Sequence, residues 1–163
     1  MLYHVVTMAR NYVIGKGNKL PWHFTEDRKH FEKTTLGSTV IMGRKTYESI
    51  EKPLLDRENF ILSKTHPAGG KNPRYFNSLG EALGAAKTRD IFIGGGAELY
   101  RQTLSFVDGV YMTCIDADYE GDAFYPPLLP SLMERSRVLL RKDPKMEVIF
   151  YQNVPAEGCS CYG

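Results

Sequence analysis

The chain of 163 residues is long enough to bury a core as one domain, and a composition of 42% hydrophobic and 25% charged residues excludes a disordered protein. The net charge of +2 gives no reason to expect nucleic acid or a membrane as a partner. No apolar run approaches the ~20 residues that span a bilayer, and the start, MLYHVVTMAR, lacks the basic region and cleavage site of a signal peptide.

The apolar pattern predicts alternating strands and helices. In chain order it predicts a strand at 2–8, a long irregular loop at 9–24, a helix at about 25–35, a strand at 38–42, a helix after 46, a strand at 59–63, a helix at 78–86, a strand at 90–93, a helix at 97–104, and strands at 109–116, near 133–141 and at 146–152. Thr25 is expected to cap the first helix, and Ser78 with Glu81 has the spacing of a capping box. The order predicts an α/β fold with a mostly parallel sheet and an antiparallel end, in one domain over 1–154 with a flexible tail at 155–163.

The stretch LPWHFTEDRKHF (20–31) sets the only tryptophan, Trp22, before an acid-rich helix start. Asp27 and Phe31 are four residues apart, so they share one helix face. Asp27 either supports the helix N-terminus through the dipole or is a carboxylate held against an apolar pocket.

Two segments place glycine between a strand and a helix, IMGRKT (41–46) and IGGGAELY (93–100). Ligands bind beyond the carboxyl ends of parallel strands, where backbone N–H groups and a helix N-terminus attract phosphate. Either turn alone is weak evidence, but together they favour a nucleotide cofactor. The sequence has no GxGxxG spacing, which leaves a standard Rossmann site unsupported.

The motifs together resemble the dihydrofolate reductase family. The resemblance runs through VIGKGNKLPW (13–22), IMGRKTYESI (41–50), PLLDRENFILS (53–63), IGGGAELY (93–100) and IDADYEGDAFYP (115–126). It implies a central, mostly parallel eight-stranded sheet flanked by about four helices, with an antiparallel C-terminal strand. It also implies hydride transfer from NADPH to 7,8-dihydrofolate, which gives 5,6,7,8-tetrahydrofolate.

The resemblance assigns catalysis to Asp27, Trp22, Leu20 and Thr113. Asp27 would hold the 2-amino group and N3 of the pterin while C6 gains hydride and N5 gains a proton by way of a water. A helix N-terminus favours the charged carboxylate and burial favours the neutral form, and we expect a raised pKa. Thr113 would link the acid to the pterin amino group. Trp22 and Leu20 would close over the nicotinamide, and Trp22 would order the water.

The resemblance also defines a substrate site. Arg57 would clamp the glutamyl α-carboxylate of the substrate, because a planar guanidinium can bind a carboxylate through two hydrogen bonds. The full implied set is Val5, Val6, Asp27, Phe31, Ile50, Leu54, Arg57, Gly94, Tyr100 and Thr113.

The implied cofactor is NADPH. Arg44, Ser63 and Lys64 would surround its 2′-phosphate and favour it over NADH by ~100-fold or more. The full implied set is Thr7, Ile14, Gly15, Asn18, Lys19, Gly43, Arg44, Lys45, Thr46, Ser49, Leu62, Ser63, Lys64, Gly95, Gly96, Ala97, Glu98 and Leu99.

The chain departs from the family pattern at a few positions. Counting back from Tyr100 makes Gly95–Gly96 the glycine pair that often has a cis bond and puts Gly94 where a bulky residue is usual. Counting forward from the strand makes Gly94–Gly95 the pair, and we favour the first count. Thr7 stands where a small apolar residue is common, so its hydroxyl is expected to contact the nicotinamide carboxamide. Glu98 replaces a basic residue of some members.

Two further segments are interpreted more simply. Gly121-Asp122 resembles a loop that braces the mobile loop. Cys159 and Cys161 are too few ligands for a metal, so no metal site is expected, and three cysteines in all indicate a reducing, cytoplasmic setting.

Two other functions stay open. One is a pyrimidine-type reductase of riboflavin synthesis, which would share the sheet but not the Pro-Trp loop that leads to Asp27. The other is a binding module for folate or nucleotide without catalysis. For the reductase we expect dihydrofolate and diaminopyrimidine or pteridine antifolates as ligands, and a monomer.

Overall fold

The computed structural model describes residues 1–50 and 52–155. These residues form the strands β1 (Leu2–Ala9), β2 (Val13–Gly15), β3 (Thr39–Gly43), β4 (Glu58–Leu62), β5 (Arg74–Phe76), β6 (Ile91–Ile93), β7 (Gly109–Ile115), β8 (Ala123–Phe124), β9 (Leu132–Lys142) and β10 (Lys145–Asn153). The helices are α1 (Thr25–Thr35), α2 (Arg44–Ile50), α3 (Leu79–Ala85) and α4 (Ala97–Thr103), and a 3₁₀ turn (Leu104–Phe106) follows α4.

Eight of the strands form the central sheet in the order β5-β4-β3-β6-β1-β7-β10-β9. The pairs from β5 to β7 are parallel, and β10 runs antiparallel to both β7 and β9. The predicted mostly parallel sheet with four helices and an antiparallel C-terminal strand is therefore confirmed.

The central strands are apolar on both faces because helices cover the sheet on both sides. In β3, Val40 and Met42 pack on one face with Ile61, whereas Ile41 packs on the other face with Phe60. This alternation follows from the two-residue period of a strand. The first face carries the partly buried side chains that wall the site described below.

The parallel strands bring the two predicted glycine turns to one edge of the sheet. Gly43 ends β3, and Gly94 to Gly96 follow β6, which pairs with β3. The Gly43 N–H donates to the Gly95 carbonyl at 2.9 Å, and the Gly94 N–H donates to the Ile41 carbonyl at 2.9 Å. The two turns therefore form one hydrogen-bonded surface.

The predicted helix caps have different outcomes. Ser78 caps α3, where its hydroxyl oxygen accepts from the Glu81 N–H at 3.2 Å, and the Ser78 hydroxyl also lies 3.1 Å from Glu81 Oε1. The serine half of the predicted capping box is thus confirmed. The prediction that Thr25 caps α1 is wrong, because Phe24 is the N-cap and no side chain caps the helix. The Phe24 carbonyl already accepts from the Arg28 N–H at 3.2 Å, so Thr25 lies inside the first turn.

Three short strands escape the sequence pattern. The stretch 9–24 is not wholly irregular, since β2 pairs antiparallel with β8, more than a hundred residues along the chain. β5 is a three-residue edge strand beside β4. Two or three residues are too few to show an alternation, so pairing with distant segments fixes these strands rather than local periodicity.

Among the described residues, no helix has the length and apolar character needed to cross a membrane. The predicted tail at 155–163 lies outside the described residues except for Pro155, and so do Cys159 and Cys161.

Candidate active site

One large cavity of about 1880 Å³ runs along the carboxyl edge of the sheet. Its wall includes every residue predicted above for catalysis, for the substrate site and for the cofactor site. The cavity joins the acid on α1 to the two glycine turns. It is large enough for two ligands side by side, since a cavity of about 300–1,000 Å³ is typical for one small molecule.

Asp27 is a buried acid on the first turn of α1, with 8% of its surface exposed. The Thr7 hydroxyl donates to Asp27 Oδ1 at 2.6 Å. Burial raises the pKa of Asp27 in the expected direction, because a low-dielectric site disfavours the charged form, and the Thr7 hydrogen bond acts against that rise.

The two threonines of the cavity differ in their contact with Asp27. Thr7 on β1 and Thr113 on β7 are partners in the register of the sheet. The structure gives the Asp27 hydrogen bond to Thr7, whereas Thr113 lines the cavity without a side-chain bond to Asp27. The structure therefore adds a contact of Thr7 with the acid, while the roles expected for Thr113 beside the pterin amino group and for Thr7 beside the nicotinamide carboxamide stay predictions.

Trp22 is buried, with 4% of its surface exposed, although it lies in a loop. It packs edge-on against Tyr119 at a ring-centroid distance of 5.1 Å. Its Nε1 is the buried side-chain polar atom without a hydrogen-bond partner among the described residues. A buried indole N–H beside a cavity is suited to hold a water. Leu20 lines the same cavity but is 49% exposed at its rim.

Tyr100 ties α4 to the first strand. Its buried hydroxyl donates to the Val5 carbonyl at 2.7 Å, and burial raises its pKa well above the usual range. The carbonyl of Val5, a residue of the predicted substrate site, thus already accepts one hydrogen bond. A carbonyl oxygen has a second lone pair, so Val5 can still accept from a ligand. Val6, beside it, also lines the cavity.

Apolar side chains wall the half of the cavity near α1. Phe31 and Leu54 pack against the buried residues of β3 and β4. Ile50, at the end of α2, also lines the cavity and is 38% exposed. At Gly94 an added Cβ would lie 3.3 Å from Val40 Cγ1. Because that contact is tight, the missing side chain leaves little extra room.

Arg57 is held by α1 and by its own loop. Its Nε donates to Thr35 Oγ1 at 2.8 Å, and its other two nitrogens donate to the carbonyls of Leu55 and Glu32. A guanidinium has five N–H groups, so one on each terminal nitrogen stays available for a carboxylate. Lys33 and Lys52 line the same cavity and were not predicted. In the sequence, positive charge is the only feature that could have indicated these two lysines.

The glycine turns form the other half of the cavity. The cis peptide bond lies between Gly95 and Gly96, as the count back from Tyr100 predicts. Leu99 and Tyr100 are buried, at 7% and 4% exposed. An added Cβ at Gly96 would lie 3.3 Å from Thr46 Oγ1, so backbone fills the space between the turns and α2.

Positive and hydroxyl side chains surround the end of β4. Arg44 donates to Thr65 Oγ1 at 3.3 Å and to Glu48 at 3.1 Å. The Ser63 hydroxyl oxygen accepts from the backbone N–H groups of Thr65 and His66. Asn77 donates to the Ser63 and His66 carbonyls at 2.7 and 3.0 Å and was not predicted, because only the fold brings it next to Ser63.

Two acids near the site make contacts that bear on the predicted roles. Glu98 pairs with Arg101 and Gln102 on the exposed side of α4. Asp122 accepts from the Gly17 N–H at 3.1 Å, and its own N–H donates to the Gly15 carbonyl at 3.0 Å. The segment that precedes Trp22 is thus bonded to the segment before β8.

Comparison with known proteins agrees with this geometry. The family model described as dihydrofolate reductase matches residues 1–153. The dihydrofolate reductase of Bacillus subtilis (strain 168) is 37% identical over 127 residues, which cover 77% of this chain and 76% of that protein. The dihydrofolate reductase type 3 of Salmonella typhimurium is 38% identical over 126 residues, covering 77% and 78%.

A solved structure gives the same result. The dihydrofolate reductase from Enterococcus faecalis, complexed with NADP(H) and RAB-propyl, superposes with a TM-score of 0.85 at 28% identity, covering 93% of this chain and 95% of that one. The motifs, the sheet order and the cavity between an acid and two glycine turns agree with these matches, and the chain belongs to the dihydrofolate reductase family.

Proposed function

We propose that the chain reduces 7,8-dihydrofolate to 5,6,7,8-tetrahydrofolate with NADPH, by hydride transfer to C6 and protonation at N5. The observation that carries the proposal is the buried Asp27 carboxyl in the same cavity as the two glycine turns. Family membership supports it, as does the Enterococcus faecalis relative, which is complexed with NADP(H).

The residues of the glycine half fit a dinucleotide. Gly43, Gly95 and Gly96 bring backbone to the cavity without a side chain in between, and Thr46 lies beside them. Arg44 and Lys64 add positive charge at the end of β4, which suits the 2′-phosphate of NADPH. When bound, NADPH supplies the hydride that C6 of dihydrofolate receives. The proposed cofactor residues are those named for it above, except that Thr7 and Glu98 engage other partners.

Asp27 would hold the pterin and favour its protonation. Its oxygens accept from the 2-amino group and N3, since a carboxylate has about four acceptor sites and Thr7 uses one. A pterin anchored in this way directs C6 toward the glycine half. The unpaired Nε1 of Trp22 would donate to the water that carries a proton to N5. Leu20, at the rim, would exclude bulk water when the loop closes.

The remaining walls would fix the rest of the substrate. Phe31, Leu54 and Ile50 would pack against the pterin and aminobenzoyl rings. The carbonyls of Val5 and Gly94 would accept from the pterin amino group, near Thr113. The two available N–H groups of Arg57 would bind the glutamyl α-carboxylate.

The test is turnover. We expect dihydrofolate to deplete NADPH absorbance, and we expect NADPH to give a kcat/KM about 100-fold above NADH, because two charge-assisted hydrogen bonds distinguish the coenzymes. Turnover of the pyrimidine precursor of riboflavin instead would support the alternative reductase. Binding of both ligands without turnover would support the binding module.

We extend the proposal to the state of the protein. One domain over 1–154 would act as a monomer in the cytoplasm and bind diaminopyrimidine or pteridine antifolates through Asp27. What supports this is that a single cavity in one chain carries every proposed residue, and that Cys114 is a free thiol. A dimer mass in light scattering would contradict the monomer.

A further inference from the structure

We propose that Thr7 is a positioning residue for Asp27: its hydroxyl fixes the carboxylate in the orientation that receives the pterin. The inference rests on the proposed function. Its basis is the 2.6 Å hydrogen bond from Thr7 Oγ1 to Asp27 Oδ1, the one side-chain hydrogen bond that Asp27 makes within 1–50 and 52–155. The bond joins β1 to α1, two elements that no backbone hydrogen bond connects at this point.

The geometry makes Thr7 a rigid donor. Threonine is β-branched, so its χ1 angle is restricted, and the backbone of Thr7 is held in register with Thr113 of β7. An aspartate side chain on the first turn of a helix has no such restraint of its own. The hydroxyl therefore sets the rotation of the carboxyl plane. It occupies one acceptor site on Oδ1 and leaves the rest of the group directed into the cavity.

The hydroxyl proton can be given to only one acceptor at a time. In this structure the Thr7 hydroxyl donates its hydrogen bond to Asp27, so the same proton is not available to a nicotinamide carboxamide. Thr113, directly opposite in the register, offers the alternative hydroxyl but makes no such bond. Substitution of each threonine can therefore test which of the two hydroxyls donates to Asp27.

Among the groups around Asp27, the Thr7 hydroxyl has the main polar influence on the carboxyl group. Burial raises the pKa of Asp27, and the Thr7 hydrogen bond is the opposing cause. The titratable groups around it are Arg28 and His30 on α1, which line the cavity, and the buried Tyr100 hydroxyl on α4, which donates to Val5. β1 and β7 contribute threonine hydroxyls and no charge at this point.

The test is a carbon-13 NMR titration of the aspartate carboxyl groups in the ligand-free protein, with the Asp27 signal assigned by its loss in Asp27→Asn. Thr7→Val keeps the shape and removes the hydroxyl, so the midpoint should rise by about 1 pH unit. Thr7→Ser should restore the wild-type midpoint. Thr113→Val is the matched comparison and should leave the midpoint in place.

A binding measurement separates this role from contact with the cofactor. At neutral pH, Thr7→Val should weaken a diaminopyrimidine inhibitor by about 10-fold, since the protonated ring pairs with ionised Asp27, while the Kd of NADPH stays unchanged. If Thr7→Val does not fold, Thr7→Ala gives the same comparison.

An unmoved midpoint in Thr7→Val, a shift in Thr113→Val alone, or a loss confined to NADPH would overturn the role of Thr7. The titration needs no activity, so it is distinguishable from failure of the proposed function. That failure would appear as wild-type protein that does not oxidise NADPH with dihydrofolate.

Discussion

At Asp27, two forces act on one carboxyl group. Burial favours the neutral acid, and the Thr7 hydroxyl favours the carboxylate. The acid itself is readable from the sequence, because the Pro-Trp loop and the helix start carry a specific motif. Its hydrogen-bond partner is not readable, since Thr7 and Thr113 lie side by side in the sheet and only the placement of α1 decides between them.

Arg57 provides a residue-scale prediction. Arg57→Lys should raise the KM for dihydrofolate by roughly 10-fold to 100-fold, because one ammonium cannot bond Thr35, two carbonyls and a substrate carboxylate together. The Kd of NADPH, measured by fluorescence quenching, should not change. Arg89→Lys, at an exposed arginine outside the cavity wall, is the control. Equal losses for substrate and cofactor would reject the assigned role.

At the scale of elements, the loop that carries Trp22 is held by a distant segment. β2 pairs with β8, and Asp122 bonds both Gly15 and Gly17. Sequence periodicity predicts the long strands and helices well, because each has enough residues to show a period. It cannot predict β2, β5 or β8, whose few residues become strands only where a partner lies alongside.

A substitution at Gly121 tests whether this contact between β2 and the segment at 121–124, called the brace below, holds the loop that carries Trp22. A Cβ at Gly121 would lie 2.3 Å from Val13 Cγ1 and 2.5 Å from the Gly15 carbonyl oxygen, so Gly121→Ala must push β2 away from its partner. We expect a loss of about 1–3 kcal/mol in the free energy of unfolding and a slower hydride-transfer step. Denaturant unfolding and single-turnover absorbance measure the two effects.

The control for Gly121 is Gly84→Ala on α3, where an added Cβ meets nothing within 4 Å. Alanine is the better helix former, so this change should raise stability by up to about 1 kcal/mol. Gly121→Ala with wild-type stability and wild-type hydride transfer would show that the brace has no role.

At the scale of the whole molecule, a buried polar triad joins β1, α4 and the segment after β8. His4 is fully buried, with Nδ1 2.7 Å from the Tyr125 hydroxyl and Nε2 2.6 Å from Thr103 Oγ1. The Thr103 hydroxyl donates to the Leu99 carbonyl at 2.7 Å, so it must accept from His4. His4 is therefore the Nε2–H tautomer, and Tyr125 donates to Nδ1.

This triad predicts acid sensitivity of the fold. Burial lowers the pKa of His4 from 6.5 to about 3. Between those values the unfolded chain binds a proton that the folded protein does not. The free energy of unfolding should therefore fall as pH drops below 6.5, by about 1.4 kcal/mol per pH unit from this residue, and be fully retained above it.

Denaturant unfolding from pH 5 to pH 7 checks this slope. His4→Gln should lower the slope by the contribution of one titrating group, about 1.4 kcal/mol per pH unit, whatever its effect on stability at pH 7. His23→Gln, at an exposed histidine, should keep the wild-type slope. An unchanged slope in His4→Gln would show that another group controls the acid transition.

The central claim is that the buried acid, in the same cavity as both glycine turns, directs reduction. The most direct measurement is kcat/KM for dihydrofolate with NADPH in Asp27→Asn, beside Glu26→Gln as the neighbouring acid outside the cavity wall. Asp27→Asn should lower the value by about 100-fold or more, and Glu26→Gln should leave it within about 2-fold. Wild-type turnover in Asp27→Asn would contradict the account.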